Sequence, residues 1–269
     1  MGKIRLDTLI YQQGLTSSRE RARAIIMAGE VKVDGQLVDK PGTNVNNDVD
    51  IEISNSTPPY VSRGGLKLAK AIQVFGIDFS SAVVLDVGAS TGGYTDCALQ
   101  NGAQKVFAVD VGYGQLDWKL RNDKRVINLE KTNIRYLNLD ALGERLDIIT
   151  VDVSFISTRL VFPVLSPLLK EQGMIISLIK PQFEAGKKQV GKKGVVRDAT
   201  IHREVLKACI KYAEDAALSC TDITFSPITG PRGNIEYFIK LEKHNNKQEL
   251  EIEKLIDRVV NEAHKQLGG

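Results

Sequence analysis

Long apolar runs are missing from this sequence. No stretch of its 269 residues approaches the roughly 18 consecutive apolar residues that a membrane-spanning helix needs. Met1 to Asp7 carries no apolar core of a secretory signal. Both absences lead to the expectation of a cytoplasmic protein with no membrane partner. Cysteine is scarce as well. Cys97, Cys209 and Cys220 are odd in number and show no C-x-x-C spacing, which excludes a disulfide framework, a zinc ribbon and a thioredoxin-like redox motif. They read as buried thiols. His202, His244 and His264 are scattered, and with no His/Cys cluster the sequence suggests no metal. A dominant charge is lacking too: 36 Lys and Arg against 33 Asp and Glu leave a net charge of +3, too little to name a partner. Charge must therefore be read segment by segment.

What is present is a globular composition, 42% apolar and 26% charged, on a chain long enough for one large domain and a small companion. Residues 54 to 59, "SNSTPP", have no apolar period and end in two prolines, as an extended connection does. We place a first domain at 1–54, a linker at 55–62 and a second domain at 63–269. The first offers a short helix, a second helix and then strands. Ser17 to Glu20 fits a capping box at the start of the second helix, Gly29 suits the position just past its end, and Asp34-Gly35 is a hairpin turn between "VKV" and "QLV".

Residues 1 to 32 hold six Lys or Arg against three acids. Arg19 and Arg23 stand one helical turn apart with Arg21 beside them, which is either a solvated helix face or a phosphate-binding surface. "RLDTLI", "SSRERARAIIMAGEVKVDG" and "NNDVDIEI", in that order, resemble the small RNA-binding fold first seen in the fourth protein of the small ribosomal subunit. The resemblance covers residues 3 to 53. It implies a small α+β domain that docks on structured RNA, with Arg5, Arg19, Arg23 and Lys32 as candidate RNA contacts.

The rest of the chain alternates helical stretches with "AVVLDVG", "KVFAVDVG", "DIITVDVSF", "GMIISLIK" and "IEYFIKL", runs rich in Val, Ile and Leu as strands covered on both faces are. This predicts an α/β layout with a mostly parallel sheet and ligands at the carboxyl ends of its strands. The first of those ends is Gly88-Ala89-Ser90-Thr91-Gly92-Gly93. A triphosphate loop would need a lysine after the glycines, where Tyr94 and Thr95 stand; a dinucleotide fingerprint would need a glycine at position 90, where Ser90 stands. S-adenosylmethionine has no phosphate and asks for close backbone and nearby carboxylates, which D-x-G-x-x-x-G-G from Asp86 to Gly93 provides. Asp110, about 20 residues on, suits the hydroxyls of an adenosine ribose in either that donor or NAD. Asn133 faces the adenine edge or caps a turn.

Asp152, Lys180 and Glu236 each end or interrupt a run that should be buried, where an unpaired charge is expensive, so they are candidate partners for one another. "LDVGASTGGYTD", "VDVSFIS", "LIKPQFE" and "GNIEYF" resemble the TlyA family, which belongs with the FtsJ-like ribose methyltransferases; the likeness spans residues 3 to 240. It implies a Rossmann-like methyltransferase sheet, mostly parallel with the last strand antiparallel. It further implies a catalytic Lys-Asp-Lys-Glu set at Lys67, Asp152, Lys180 and Glu236, S-adenosylmethionine as donor, and cytidine 2′-hydroxyls of ribosomal RNA as acceptor. In that reading Lys180 takes the hydroxyl proton. Asp152 orients Lys180 and faces the sulfonium, and Lys67 and Glu236 position the ribose.

From Lys180 to Arg197 there are six positive residues and one acid, with glycines at 186, 191 and 194. Lys187, Lys188, Lys192 and Lys193, with Arg63 of "YVSRGGLKLAK", are therefore candidate phosphate contacts. The tail carries Ile252, Leu255, Ile256, Val259, Val260 and Ala263 at helical spacing, a packing face for the core. The chain is expected to be a monomer. Three rival readings stand beside the enzyme: an RNA-binding assembly factor with an inert core, a hemolysin acting on membranes, and a dinucleotide-dependent reductase.

Overall fold

The computed structural model describes residues 3–16, 18–27, 29–53, 59–191, 193–230, 232–243 and 249–268. The first domain runs β1 (Ile4–Arg5), α1 (Leu6–Gln12), α2 (Arg19–Met27), β2 (Val31–Val33), β3 (Gln36–Leu37), β4 (Asn44–Val45) and β5 (Ile51–Ile53). β1 pairs with β4, and β2 lies between β3 and β5, all antiparallel. Leu6, Leu9 and Ile10 of α1 meet Ala22, Ile25 and Ile26 of α2 over Val31 and Val33, which gives this small domain a core of its own. The hairpin expected at Asp34-Gly35 is present, both residues having the positive φ (50° and 73°) that matches the twist of two-residue hairpins. The cap of α2 is Ser18, whose Oγ accepts from the Arg21 N–H at 3.0 Å; Ser17, expected there, lies outside the described residues.

The second domain continues with α3 (Gly64–Phe75), β6 (Val83–Val87), α4 (Gly93–Gln100), β7 (Lys105–Val109), α5 (Trp118–Arg121), β8 (Val126–Leu129), α6 (Leu139–Leu142) and β9 (Leu146–Val151). There follow α7 (Phe162–Leu165), β10 (Leu169–Ile179), α8 (Pro181–Glu184), α9 (Ala199–Glu214), β11 (Ser219–Phe225), β12 (Tyr237–Glu242) and α10 (Glu249–Leu267). Seven strands form one sheet in the order β11-β12-β10-β9-β6-β7-β8. The pairs from β10 to β8 are parallel and β12 is antiparallel to both its neighbours. Two apolar clusters cover its faces, one including Leu85, Ile149, Ile179 and Phe162, the other Val84, Ile148, Leu178 and Phe238. Adjacent residues of a strand thus belong to opposite layers, as the unbroken apolar runs predict.

α10 buries Ile252, Ile256, Val259, Val260 and Ala263, the packing stripe expected of the tail. Cys97, Cys209 and Cys220 are buried, and none of them is in a disulfide. His202 is fully buried between the carbonyl of Val196 and the hydroxyl of Tyr237, and burial lowers its pKa to about 4; His244 lies outside the described residues. Residue 54 and, of the linker placed at 55–62, residues 55–58 are likewise outside. Beyond it the Val61 N–H donates to Asp96 Oδ2 at 2.9 Å and Gln100 Nε2 donates to the Pro59 carbonyl at 2.8 Å, which ties the chain's entry into the second domain to α4.

Candidate active site

Strand direction determines which residues share a rim. The carboxyl ends of β6, β9 and β10 lie on one edge of the sheet, and because β12 runs the other way, its start lies on that same edge. Residues 88, 152, 180 and 236, each at such an end, converge there. They line a cavity of about 520 Å³ that Lys67 enters from the first turn of α3.

Two ion pairs form its floor. Lys67 Nζ donates to Glu236 Oε2 at 2.6 Å, and Lys180 Nζ stands 2.5 Å from Asp152 Oδ1 and donates to Ser154 Oγ at 3.0 Å. Glu236 is 1% exposed and Lys67 9%, so each charge depends on the other for its stability there. Burial pushes the Asp152 carboxyl up, but the charges of Lys180 and Lys67 outweigh it and hold the carboxyl below its ordinary range. Burial pulls Lys67 down, and Asp152 and Glu236 more than reverse that, leaving the ammonium above its ordinary value even with Arg63 nearby. The four residues expected as one set are brought together, Lys67 included.

The glycine turn lies beside them. Gly88 has φ +86°, and a Cβ there would stand 2.6 Å from the Asp152 carbonyl oxygen, so the end of β6 presses against the end of β9 in a way only glycine permits. Ser90 holds φ +49° without being glycine, its N–H donating to Asp110 Oδ2 at 2.8 Å. The Gly112 N–H donates to the other Asp110 oxygen at 2.7 Å. Asp110 is thus fixed by two backbone donors and keeps further lone pairs for hydroxyls. Gly88, Ala89, Ser90, Thr91 and Gly93 line the cavity.

Four expected donor contacts, Asp86, Gly92, Asp110 and Asn133, are not among the residues that line the cavity. Asp86 is 1% exposed and accepts from Thr95 Oγ1 at 2.7 Å and Thr150 Oγ1 at 3.2 Å; it braces the turn from beneath and is off the cavity wall. Burial raises its carboxyl to about 7 against those bonds. Gly92 supplies the left-handed turn into α4 and packs on Leu116 and Leu120. Asn133 Oδ1 accepts from the Arg135 N–H at 3.1 Å, the capping alternative.

The expected RNA contacts divide as well. Arg5 and Arg19 both grip the buried Asp7, at 2.7 and 3.3 Å, while about half of each side chain stays exposed. Arg23 is exposed, as are Lys187, Lys188 and Lys193; Lys32 is exposed 3.9 Å from Glu52. Lys192 lies outside the described residues. Arg63 is 14% exposed and joins the domains: it donates to Asp39 Oδ2 of the first at 3.3 Å and to the Thr229 carbonyl of the second at 3.3 Å. The first domain also contributes Met27, Asp39, Lys40 and Pro41 to the cavity wall. Phe155, 90% exposed with φ +64°, stands at the wall with its ring 4.7 Å from that of Phe183. Ser154 and Phe155, after β9, and Gln182, in α8, do not stand out within "VDVSFIS" and "LIKPQFE", since neutral residues break no charge pattern.

This geometry matches known proteins across the whole chain. Residues 60–243 match the FtsJ-like methyltransferase family and residues 4–51 match the S4 domain. The chain belongs to the FtsJ-like methyltransferase family. It is 47% identical to a Bacillus subtilis protein named as a candidate rRNA methyltransferase, YqxC, over 98% of this chain and 95% of that one. It is 42% identical to the 16S/23S rRNA (cytidine-2′-O)-methyltransferase TlyA of Mycobacterium tuberculosis, over 89% and 90% of the two chains. A solved structure from Streptococcus thermophilus, described as a candidate hemolysin, superposes with a TM-score of 0.79 at 44% identity and covers 100% of this chain and 98% of its own. Among the described residues no helix is long and apolar enough to cross a membrane, and no group of three or more His, Cys, Asp or Glu could hold a metal.

Proposed function

We infer that this protein transfers the methyl group of S-adenosylmethionine to a ribose 2′-hydroxyl of ribosomal RNA, on cytidine, as the TlyA relatives are named to do. One observation carries the reading: two lysines and two carboxylates, drawn from α3 and three strand ends, are paired on a single rim beside a backbone turn of residues 88 to 93.

The residues present fit the donor. The cavity of about 520 Å³ is of the size that holds a cofactor, and Gly88 to Thr91 give it bare backbone on one side. Asp110, off the cavity wall but bonded to the N–H of Ser90, which lines it, would take the ribose hydroxyls at its margin. Bound there, the donor supplies a methyl on a sulfonium that is already activated toward a nucleophile.

A ribose hydroxyl is a weak nucleophile at neutral pH, so the protein's work is alignment and proton removal. Lys180, fixed by Asp152 and Ser154, is placed to receive the hydroxyl proton on Nζ. That task requires Nζ to be free of its third proton when the acceptor binds. Asp152, held ionised, favours positive charge at the donor. Glu236 and Lys67 position the ribose. The N-terminal domain, with Arg23 and Lys32 exposed, and the basic loop of Lys187, Lys188 and Lys193 offer phosphate contacts on either side. In this reading the protein works in the cytoplasm with ribosomal RNA as its partner.

The test is to incubate the protein with methyl-labelled donor and ribosomal subunits and map ribose methylation. Label on a cytidine 2′-oxygen supports the reading. RNA left unlabelled in free, subunit-bound and fully assembled states would refute it in favour of an RNA-binding factor with an inert core.

A further inference from the structure

Among the described residues, four buried side-chain polar atoms have no hydrogen-bond partner: Tyr94 Oη, Asp152 Oδ1, Ser177 Oγ and Gln182 Oε1. Asp152 Oδ1 is ion-paired with Lys180, and Ser177 lies within β10 away from the cavity. Tyr94 and Gln182, which carry the other two, are among the residues that line the cavity. A buried polar atom without a partner weakens a free protein and is rarely kept without a reason, which is commonly a ligand.

Tyr94 is the sharper case. It is 3% exposed, its ring packs near Phe238 with centroids 6.4 Å apart, and a Cβ on Gly64 would stand 3.5 Å from its Cδ1. The ring is therefore fixed between α3 and the sheet, with no room to turn its hydroxyl to solvent. It follows Gly93 directly, at the start of α4, so it stands where the glycine turn meets the four paired charges. Burial, then the charges of Asp152, Glu236 and Asp86, push its pKa far above the ordinary value, so the group remains an O–H donor. The two carboxylates of the rim are committed to Lys180 and Lys67.

We propose that Tyr94 is a further residue of the methyl-transfer site, its hydroxyl donating a hydrogen bond to an oxygen of a bound ligand. That oxygen belongs to the carboxylate at the donor's amino-acid end or to the ribose of the acceptor nucleotide. The proposal rests on the functional reading above for the identity of those ligands. Its chemistry is that of a hydrogen bond only; no bond is made or broken at Tyr94.

Tyr94→Phe removes one atom and leaves the ring. The full chain is compared with wild type in three measurements: thermal unfolding, calorimetric binding of S-adenosylhomocysteine, and single-turnover methylation of ribosomal subunits. The variant is expected to unfold at the same or a higher temperature, because the hydroxyl has no protein partner to lose. Weakening of product binding by about tenfold or more assigns the contact to the donor's carboxylate. Unchanged product binding with a methylation rate about tenfold or more lower assigns it to the acceptor. Both quantities within twofold of wild type, or a melting temperature several degrees lower, would overturn the proposal. A wild type that binds the product yet labels no RNA strikes the functional reading instead, and product binding by Tyr94→Phe then decides this proposal alone.

Discussion

Lys67 Nζ lies 2.6 Å from Glu236 Oε2, although 169 residues separate the two in the chain. Lys67 is the cation paired with Glu236 among the described residues, while Lys67 itself is held charged by Asp152 as well as by Glu236. Glu236→Gln would put a neutral amide in place of the carboxylate in contact with the Lys67 ammonium, leaving Asp152 as the opposite charge that acts on it. The expected loss of stability is about 3 kcal/mol, read as a lower denaturation midpoint at unchanged slope. Methylation should fall with it, and restoring the midpoint with a stabilising co-solvent should not restore the rate.

Lys180 tests the chemistry apart from the fold. Its ion pair with Asp152 is at the cavity surface, and Lys180→Ala removes the proton acceptor without touching the glycine turn. The turnover rate should drop by about 10² to 10⁴, with product binding by calorimetry kept within a few fold. Full activity in that variant would refute the assignment.

Gly88 tests the turn. Gly88→Ala adds a Cβ that would meet the Asp152 carbonyl oxygen at 2.6 Å on a backbone of φ +86°. We expect a stability loss of about 1–3 kcal/mol from the strained backbone and a clear weakening of product binding, since the shift needed to relieve the clash moves both walls of the cavity. Calorimetry and thermal unfolding measure the two effects separately.

Asp7 gives the N-terminal domain a pH dependence of definite sign. Burial raises its carboxyl, but the hydrogen bonds and charges of Arg5 and Arg19 prevail and the pKa falls to about 2. A depressed carboxylate pKa contributes stability that is complete above the unfolded value near 3.9 and disappears as pH falls through the folded value. Asp7→Asn should therefore lower the stability of this domain at pH 7 by about 1–2 kcal/mol, discounted because both arginines are half exposed. The difference from wild type should shrink steadily below pH 4.

Strands β6, β7, β9 and β12, and β10 from residue 173 on, were legible because they are covered on both faces and so read as apolar runs; the first part of β10, with Lys170, Glu171 and Gln172 exposed, was not. β8 (Val126–Leu129) and β11 (Ser219–Phe225) were not. They are the two outer strands of the sheet, and "VINL" and "SCTDITF" carry the polar residues that an edge tolerates. The paired charges were legible for a related reason: a charge at the end of a buried run requires a partner, and Asp152, Lys180 and Glu236 had only such positions to offer one another. Lys67 came from resemblance, since a lysine in a helix breaks no pattern. Asp86 shows the limit of a motif. It belongs to the signature of the turn, yet alternation along β6 points its carboxyl inward to Thr95 and Thr150, a direction that spacing alone does not reveal. Arg63 looked like a phosphate contact by its charge and is occupied by Asp39 and Thr229, neither of which is near it in the chain.

The reversal of β12 has a geometric consequence for how such a site is assembled. Six residues of strand span about 20 Å, so a β12 entering the sheet in the direction of its neighbours would put residue 236 on the opposite edge, out of reach of Lys67. A hairpin-like return from β11 spares the crossover that a parallel neighbour demands. One change of strand polarity therefore lets a carboxylate from late in the chain meet Lys67, Asp152 and Lys180, which come from earlier parts of the fold.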